Sequence, residues 1–212
     1  MVDPSEDGTE VVAEELSRRF GEVRCIFNRK RRGVAGSRNQ GIVAAASDYV
    51  MFLDSDDVLN PWYFEKVAAL LDQNPEVGIA YSDYVEFGER NRVVNLPTFN
   101  PKLLLVDCII MGPAMARRSA LEQAGGYDAE HVFEDWELWI RVIGKGWTAK
   151  GVNEPLYNYR VHQGSRDKES NKKRKEDEDL IYQKHIKLYE HYGIGRTPDG
   201  RWVNAPAYRP FR

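Results

Sequence analysis

Residues 49–57 read Tyr-Val-Met-Phe-Leu-Asp-Ser-Asp-Asp, an apolar run that breaks abruptly into carboxylates. Five apolar residues bounded by a polar turn predict a short buried strand. In extended backbone, side chains two apart point the same way, so Asp54 and Asp56 can converge just past the strand's C-terminal end. Convergent carboxylates repel one another, and a hard divalent cation such as Mg2+ or Mn2+ relieves the conflict, with phosphate oxygens as further ligands. Open α/β sheets gather ligands beyond the carboxyl ends of their strands. A solvated turn with Asp57 capping a neighbour fits the same residues, so this stretch alone leaves both readings open.

Upstream, Val11, Val12, Leu16 and Phe20 recur at helical spacing, and Gly21 stands where a helix would stop. Val23–Phe27 reads as a strand, Arg29-Lys30-Arg31-Arg32-Gly33 as a basic loop, and 34–46 as an Ala-rich helix. Downstream, Asn60-Pro61 opens a helix carrying Val67, Leu70 and Leu71, and Val77–Tyr81 is a strand. Alternating helices and strands predict an α/β fold, a mostly parallel central sheet with helices on both faces.

After Asn91 the rhythm changes. A short helix is expected at Pro101–Val106, then an apolar stretch to Ala116 and a helix from Ser119 ended by Gly125-Gly126. An amphipathic helix over Glu134–Ile143 and strands at Trp147–Val152 and Leu156–Val161 complete the core. From Arg166 the chain is highly charged; Leu180, Ile181, His185, Ile186, Leu188 and Tyr189 fit a helix ended by Gly193, and an extended tail follows. The expected organisation is 1–95 and 96–165 as two halves of one domain, with 166–212 a C-terminal helix and tail.

The chain has 212 residues, enough for one good-sized core, with 42% hydrophobic and 30% charged residues. A formal net charge of −3 argues against nucleic acid as a partner. Cys25 and Cys108 share no CxxC spacing and sit in apolar runs, as buried thiols do. The longest apolar stretch, 103–116, contains Asp107 and is short of the ~20 residues that span a bilayer. Together with an acidic start in place of a leader segment, this gives the expectation of a soluble, cytoplasmic protein.

Two further constellations carry chemistry. Glu134 and Asp135 open a helix anchored by Trp136, Leu138, Trp139 and Ile140. The helix dipole alone accounts for carboxylates there, while a cleft-facing Asp135 could serve as a general base. His162, with Ser165 after it, sits where a strand gives way to a polar loop and could offer a nitrogen to the same cation. His131 precedes the acidic pair; His185 and His191 read as surface or packing residues. In the small-residue helix start 33–41, Arg38 could meet a phosphate or a base.

Taken in order, these pieces resemble the family 2 glycosyltransferases of the GT-A fold. Asp3–Thr9 is similar to the family's acidic loop ending in DGT, though one residue shorter and holding Pro4. Gly33–Ile42 resembles its G-x-x-x-x-R-N-x-G-I helix start, 49–57 its strand and DxD motif, 134–138 its acidic pair, and 159–162 the end of its catalytic core. The resemblance covers residues 1 to 165 and implies an inverting, metal-dependent transfer of a sugar from a nucleotide-diphosphate sugar, a UDP-sugar first among donors. The acceptor would be a glycan, lipid-linked or protein hydroxyl in surface polysaccharide or glycan synthesis. It implies Asp3, Arg38, Asp54 and Asp56 as donor-binding residues, and Asp54, Asp56, Asp57 and His162 around Mn2+ or Mg2+. Asp135 would be the base and Glu134 an acceptor contact. Residues 1–95 become the nucleotide-sugar half and 96–165 the acceptor half, at the inner face of a membrane, with contact to that face and a homo-oligomer both admitted.

In the family pattern a strand and helix precede the DGT loop, so the resemblance implies that the first β–α unit is missing here. The strand before Asp3 is then expected to have a bare edge, or one covered by another chain or by the tail residues Trp202, Val203, Tyr208 and Phe211. Two rival readings stand beside this one: a non-catalytic relative that binds a nucleotide or a partner, and a nucleotidyltransferase. The latter usually opens with a glycine- and lysine-rich phosphate loop, which this chain lacks. Q-x-x-R-W is also absent, which argues against a processive synthase.

Overall fold

The computed structural model describes residues 1–163 and 172–207. Its elements run α1 (Thr9–Arg19), α2 (Gly33–Ala44), β1 (Tyr49–Met51), β2 (Val58–Leu59), α3 (Tyr63–Gln73), β3 (Val77–Gly88), β4 (Arg92–Val94), α4 (Pro101–Val106), β5 (Met115–Arg117), α5 (Arg118–Ala124), α6 (Glu134–Gly144) and β6 (Thr148–Val161). Two helices, α7 (Arg174–Lys184) and α8 (Ile186–His191), and a small hairpin of β7 (Gly195–Arg196) and β8 (Trp202–Val203) follow.

A mixed sheet in the order β1-β5-β3-β6-β2 forms the centre, with β4 also on β3. Its longest ladder, β3 on β6, is parallel; shorter antiparallel pairings flank it. β6 is one strand where the sequence predicts two. Its register against β3 slips between Ser82↔Val152 and Asp83↔Pro155, where Pro155 has no N–H to donate. Helices cover both faces, as expected. Tyr63, Val67 and Leu71 of α3 pack with Val77, Ala80, Met115 and Leu156 on one side. Residues of α4, α5 and α6, among them Leu104, Leu121, Trp136 and Ile140, fill the larger core on the other.

One local expectation is corrected. Val23–Phe27 forms no strand beyond a single parallel bridge, in which Val2 N–H donates to Ile26 O and Asn28 N–H to Val2 O, both at 2.8 Å. The ladder would continue through the N–H of residue 4, and Pro4 has none. The apolar stripe of α1 is not buried: Val11, Val12 and Leu16 are 70%, 56% and 43% exposed, because no described element packs on that face. Of the tail residues offered for the Val2 edge, the described Trp202 packs elsewhere. Trp202 stacks on Tyr189 at 5.5 Å, which places the β7–β8 hairpin against the C-terminal helices. Tyr208, Phe211 and Ser165 lie outside the described residues. Both cysteines are free and partly buried.

Candidate active site

β1 ends at Met51, and the acidic loop 54–57 turns back into β2, with Asp57 N–H donating to Asp54 O. β2 then fixes where those acids go. Val58 pairs antiparallel with Asn158, so Asp56 comes opposite the stretch that leads from Arg160 to His162. Asp57 Oδ1 accepts the Arg160 N–H at 2.9 Å, Arg160 Nε donates to Asp56 O at 2.9 Å, and His162 Nε2 lies 3.1 Å from Asp56 Oδ2. Burial, and then the neighbouring Asp56 and Asp54 carboxylates, push Asp57 up to about 6 against the Arg160 hydrogen bond. Asp56 and His162 therefore meet as the sequence predicts, at the rim of the sheet.

Asp54 instead turns to Arg38, with Oδ1 at 3.0 Å from Nη2. The same guanidinium reaches across to the start of α6, where Nη1 lies 2.6 Å from Asp135 Oδ1 and 3.2 Å from Glu134 Oε1. Burial alone would lower the Arg38 pKa; Asp135, Tyr127, Asp54 and Glu134 together raise it instead. Tyr127 completes the enclosure, its phenol pushed up by burial and then by the Asp135 carboxylate, and its ring 5.3 Å from the Arg38 guanidinium. Asp135 is 37% exposed while Glu134 is only 6%, and Trp136 and Trp139 are buried behind them. The sequence expectation of a reachable Asp135 on a tryptophan-anchored helix holds.

Asn39 sets Tyr127. Its amide donates to Tyr127 O at 2.8 Å and accepts from Tyr127 N–H at 2.6 Å, so one side chain satisfies both backbone groups, as a neighbouring strand would. Gly126, at φ +74°, leaves room for that amide; a Cβ there would stand 2.5 Å from Asn39 Oδ1. Sequence reasoning assigned no role to Asn39 or Tyr127. The available signal was Asn39 beside Arg38 and Tyr127 after the Gly125-Gly126 helix stop.

Asp3 is already engaged. Its carboxylate accepts from Asn28 Nδ2 at 2.8 Å, Ser37 Oγ at 3.2 Å and the N–H groups of Arg32 and Gly33 at 3.1 and 3.0 Å. It thus caps α2 from a distant loop. These bonds outweigh burial and hold it below the usual aspartate value.

Among the described residues, the carboxylate and imidazole atoms drawn tightly enough to enclose an ion belong to Asp128, His131 and Glu137. Lys184 fills that place: its ammonium pairs with Asp128, lies 2.9 Å from Glu137 Oε1 and 3.5 Å from His131 Nε2. An internal cation already supplies the charge a metal would bring. The expected ligands Asp54, Asp56, Asp57 and His162 are looser, with Asp54 drawn away by Arg38.

The sequence profile described as Glycosyl transferase family 2 matches residues 1–125, more than half of the chain. The chain belongs to glycosyl transferase family 2. Among the family's curated proteins it is 31% identical over 143 residues to an uncharacterized glycosyltransferase of Haemophilus influenzae, covering 64% of this chain and 53% of that one. It is 30% identical over 151 residues to the UDP-Glc:alpha-D-GlcNAc-diphosphoundecaprenol beta-1,3-glucosyltransferase WfaP of Escherichia coli, covering 66% of this chain and 57% of that one. The chain therefore spans about half the length of the curated relatives it matches. Its fold is shared with S. aureus TarS in complex with UDP-GlcNAc (TM-score 0.63, 16% identity, 77% of this chain and 49% of that one). It is shared too with the mannosyltransferase PcManGT of Pyrobaculum calidifontis in complex with GDP-Man and Mn2+ (TM-score 0.64, 16% identity, 87% and 53%). This is the GT-A fold, and the curated relatives are named as glycosyltransferases, among them one of teichuronic acid biosynthesis. No helix among the described residues is long and apolar enough to cross a membrane.

Proposed function

We propose that this chain forms the catalytic part of an inverting glycosyltransferase that moves a sugar from a nucleotide-diphosphate sugar to an acceptor hydroxyl. The observation that carries this is the Arg38 bridge, which sets the acidic loop and the Glu134–Asp135 helix start on opposite sides of one guanidinium. A donor diphosphate entering beside Arg38 would compete with Asp54 and Asp135 for it, freeing Asp135 to meet the acceptor. Asp135 then accepts the proton of the acceptor hydroxyl. The hydroxyl oxygen bonds to the anomeric carbon as the bond from that carbon to the diphosphate oxygen breaks on the opposite face, inverting the centre. Tyr127 walls the site beneath Arg38, and Glu134 stands beside the base for an acceptor hydroxyl.

The loop acids suit a hard cation. Burial, and then Asp56 and Asp54, raise the cost of ionising Asp57, and an imidazole stands 3.1 Å from Asp56. Asp54, Asp56, Asp57 and His162 would hold Mn2+ or Mg2+, which when bound neutralises charge on the leaving diphosphate. UDP-sugars are the first donors to try, since WfaP is named for UDP-Glc and TarS was solved with UDP-GlcNAc. WfaP is named for a GlcNAc carried on diphosphoundecaprenol, which supports a lipid-linked sugar as the first acceptor to test.

The test is a thermal-shift screen of UDP, GDP, dTDP and CDP, each with and without Mn2+. A ligand at about 100 times its Kd stabilises the folded form by about 2.7 kcal/mol. One nucleotide should stand out, and more so with Mn2+. No shift from any of them, with metal or without, would overturn the reading.

A further inference from the structure

The charged segment 172–179 looks like solvent-facing surface in sequence, yet Asp177 is 2% exposed. Its Oδ2 accepts the Phe133 N–H at 2.8 Å and its Oδ1 lies 3.0 Å from Nδ1 of the buried His131. Phe133 is the N-cap residue of α6, and α6 has no side-chain cap of its own. Asp177 of α7 thus brings a carboxylate to the helix start that carries Glu134 and Asp135, where backbone donors and the helix dipole favour it. One turn earlier in α7, Arg174 lies over the rings of Phe133 and Trp136, at 5.6 and 5.7 Å, and pairs with Asp107. At the other end, Lys184 and the following His185 reach Glu137 Oε1 at 2.9 and 2.8 Å. α7 therefore holds α6 at Phe133 and again at Glu137, and Asp135 stands between the two attachments.

We propose that α7, which lies beyond the residues matched by the family profile, is a positioning element of the catalytic centre, and that Asp177 is its positioning residue, acting on Asp135 through Phe133 and His131. This rests on Asp135 being the base. Asp177 touches neither donor nor acceptor in this scheme; it sets the first turn of α6.

The experiment compares Asp177→Asn, Asp135→Asn and the double variant in the full protein, with Asp177→Ala as a harsher second case. Turnover is read as nucleoside diphosphate released from the donor that the nucleotide screen selects, donor-site affinity by calorimetry with UDP and Mn2+, and order by hydrogen exchange of the 133–137 amides. Asp177→Asn should lower kcat about tenfold with donor KM and UDP affinity unchanged, and should speed exchange at 133–137 while the β3 amides stay protected. The double variant should turn over no more slowly than Asp135→Asn alone, because both changes act on one group. Full kcat in Asp177→Asn, or parallel loss of kcat, UDP affinity and β3 protection, would overturn the inference while leaving the base assignment standing. Full turnover in Asp135→Asn would overturn both.

Discussion

One guanidinium joins the two halves of the site: Arg38 Nη2 lies 3.0 Å from Asp54 Oδ1, and Nη1 lies 2.6 Å from Asp135 Oδ1. Arg38 is also the counter-charge of Glu134, which is 6% exposed. Arg38→Met should therefore take a counter-charge from a buried carboxylate and cost about 3 kcal/mol, read as a lower urea midpoint. Arg38→Lys keeps the charge but cannot fork between three carboxylates, so it should recover only part of the loss. A wild-type midpoint in Arg38→Met would show that these acids do not depend on Arg38.

The Asn39 clamp on Tyr127 predicts a second stability effect. Asn39→Ala removes two bonds to buried backbone and should cost about 1–3 kcal/mol. Gly126→Ala places a methyl against Asn39 Oδ1 at a φ of +74° and should cost about as much. The double variant should lose less than the sum, since the methyl no longer meets the amide. Additive losses would mean the two positions are not coupled.

Acid should weaken the protein through Glu137. Burial would raise its pKa, but hydrogen bonds from His185, Arg141 and Lys184 hold it well below the ordinary glutamate value of 4.5. A carboxylate depressed in the folded state contributes stability above its unfolded pKa and loses it as pH falls toward the folded one. The melting temperature should fall progressively below pH about 4.5. Glu137→Gln should melt lower at neutral pH and show a flatter acid limb. An unchanged acid limb would assign the sensitivity to other carboxylates.

How far the sequence could be read follows from what kind of signal each residue carries. Residues 49–57 placed strand, acidic loop and sheet end because apolar periodicity and a turn are local signals. Asn60-Pro61 marked the start of α3, and there the Asn60 side chain accepts the Trp62 N–H at 3.0 Å, just ahead of Tyr63. The strand expected at Val23–Phe27 failed for want of a ladder partner, which depends on Pro4, some twenty residues away. Asp54 and Asp135 were legible as candidates, but their joint hold on Arg38 was not, since it joins residues 97 apart. Asp177 was hidden for the opposite reason: among Lys and Glu neighbours, nothing local distinguishes the one acid that the fold buries.

Cation binding at the acidic loop has its own check. Asp56→Asn and His162→Ala should each remove most of the Mn2+-dependent part of the thermal shift given by the preferred nucleotide, and leave the metal-independent part in place. An unchanged Mn2+ response in both would move the cation elsewhere.

Asp135 taking the acceptor's proton is tested most directly by the turnover of Asp135→Asn set beside its affinity for UDP with Mn2+. Losing only the proton acceptor should lower kcat at least about a hundredfold, with calorimetric affinity within a few-fold of wild type. Equal loss of affinity and turnover, or turnover that survives the substitution, would show that Asp135 is not the base.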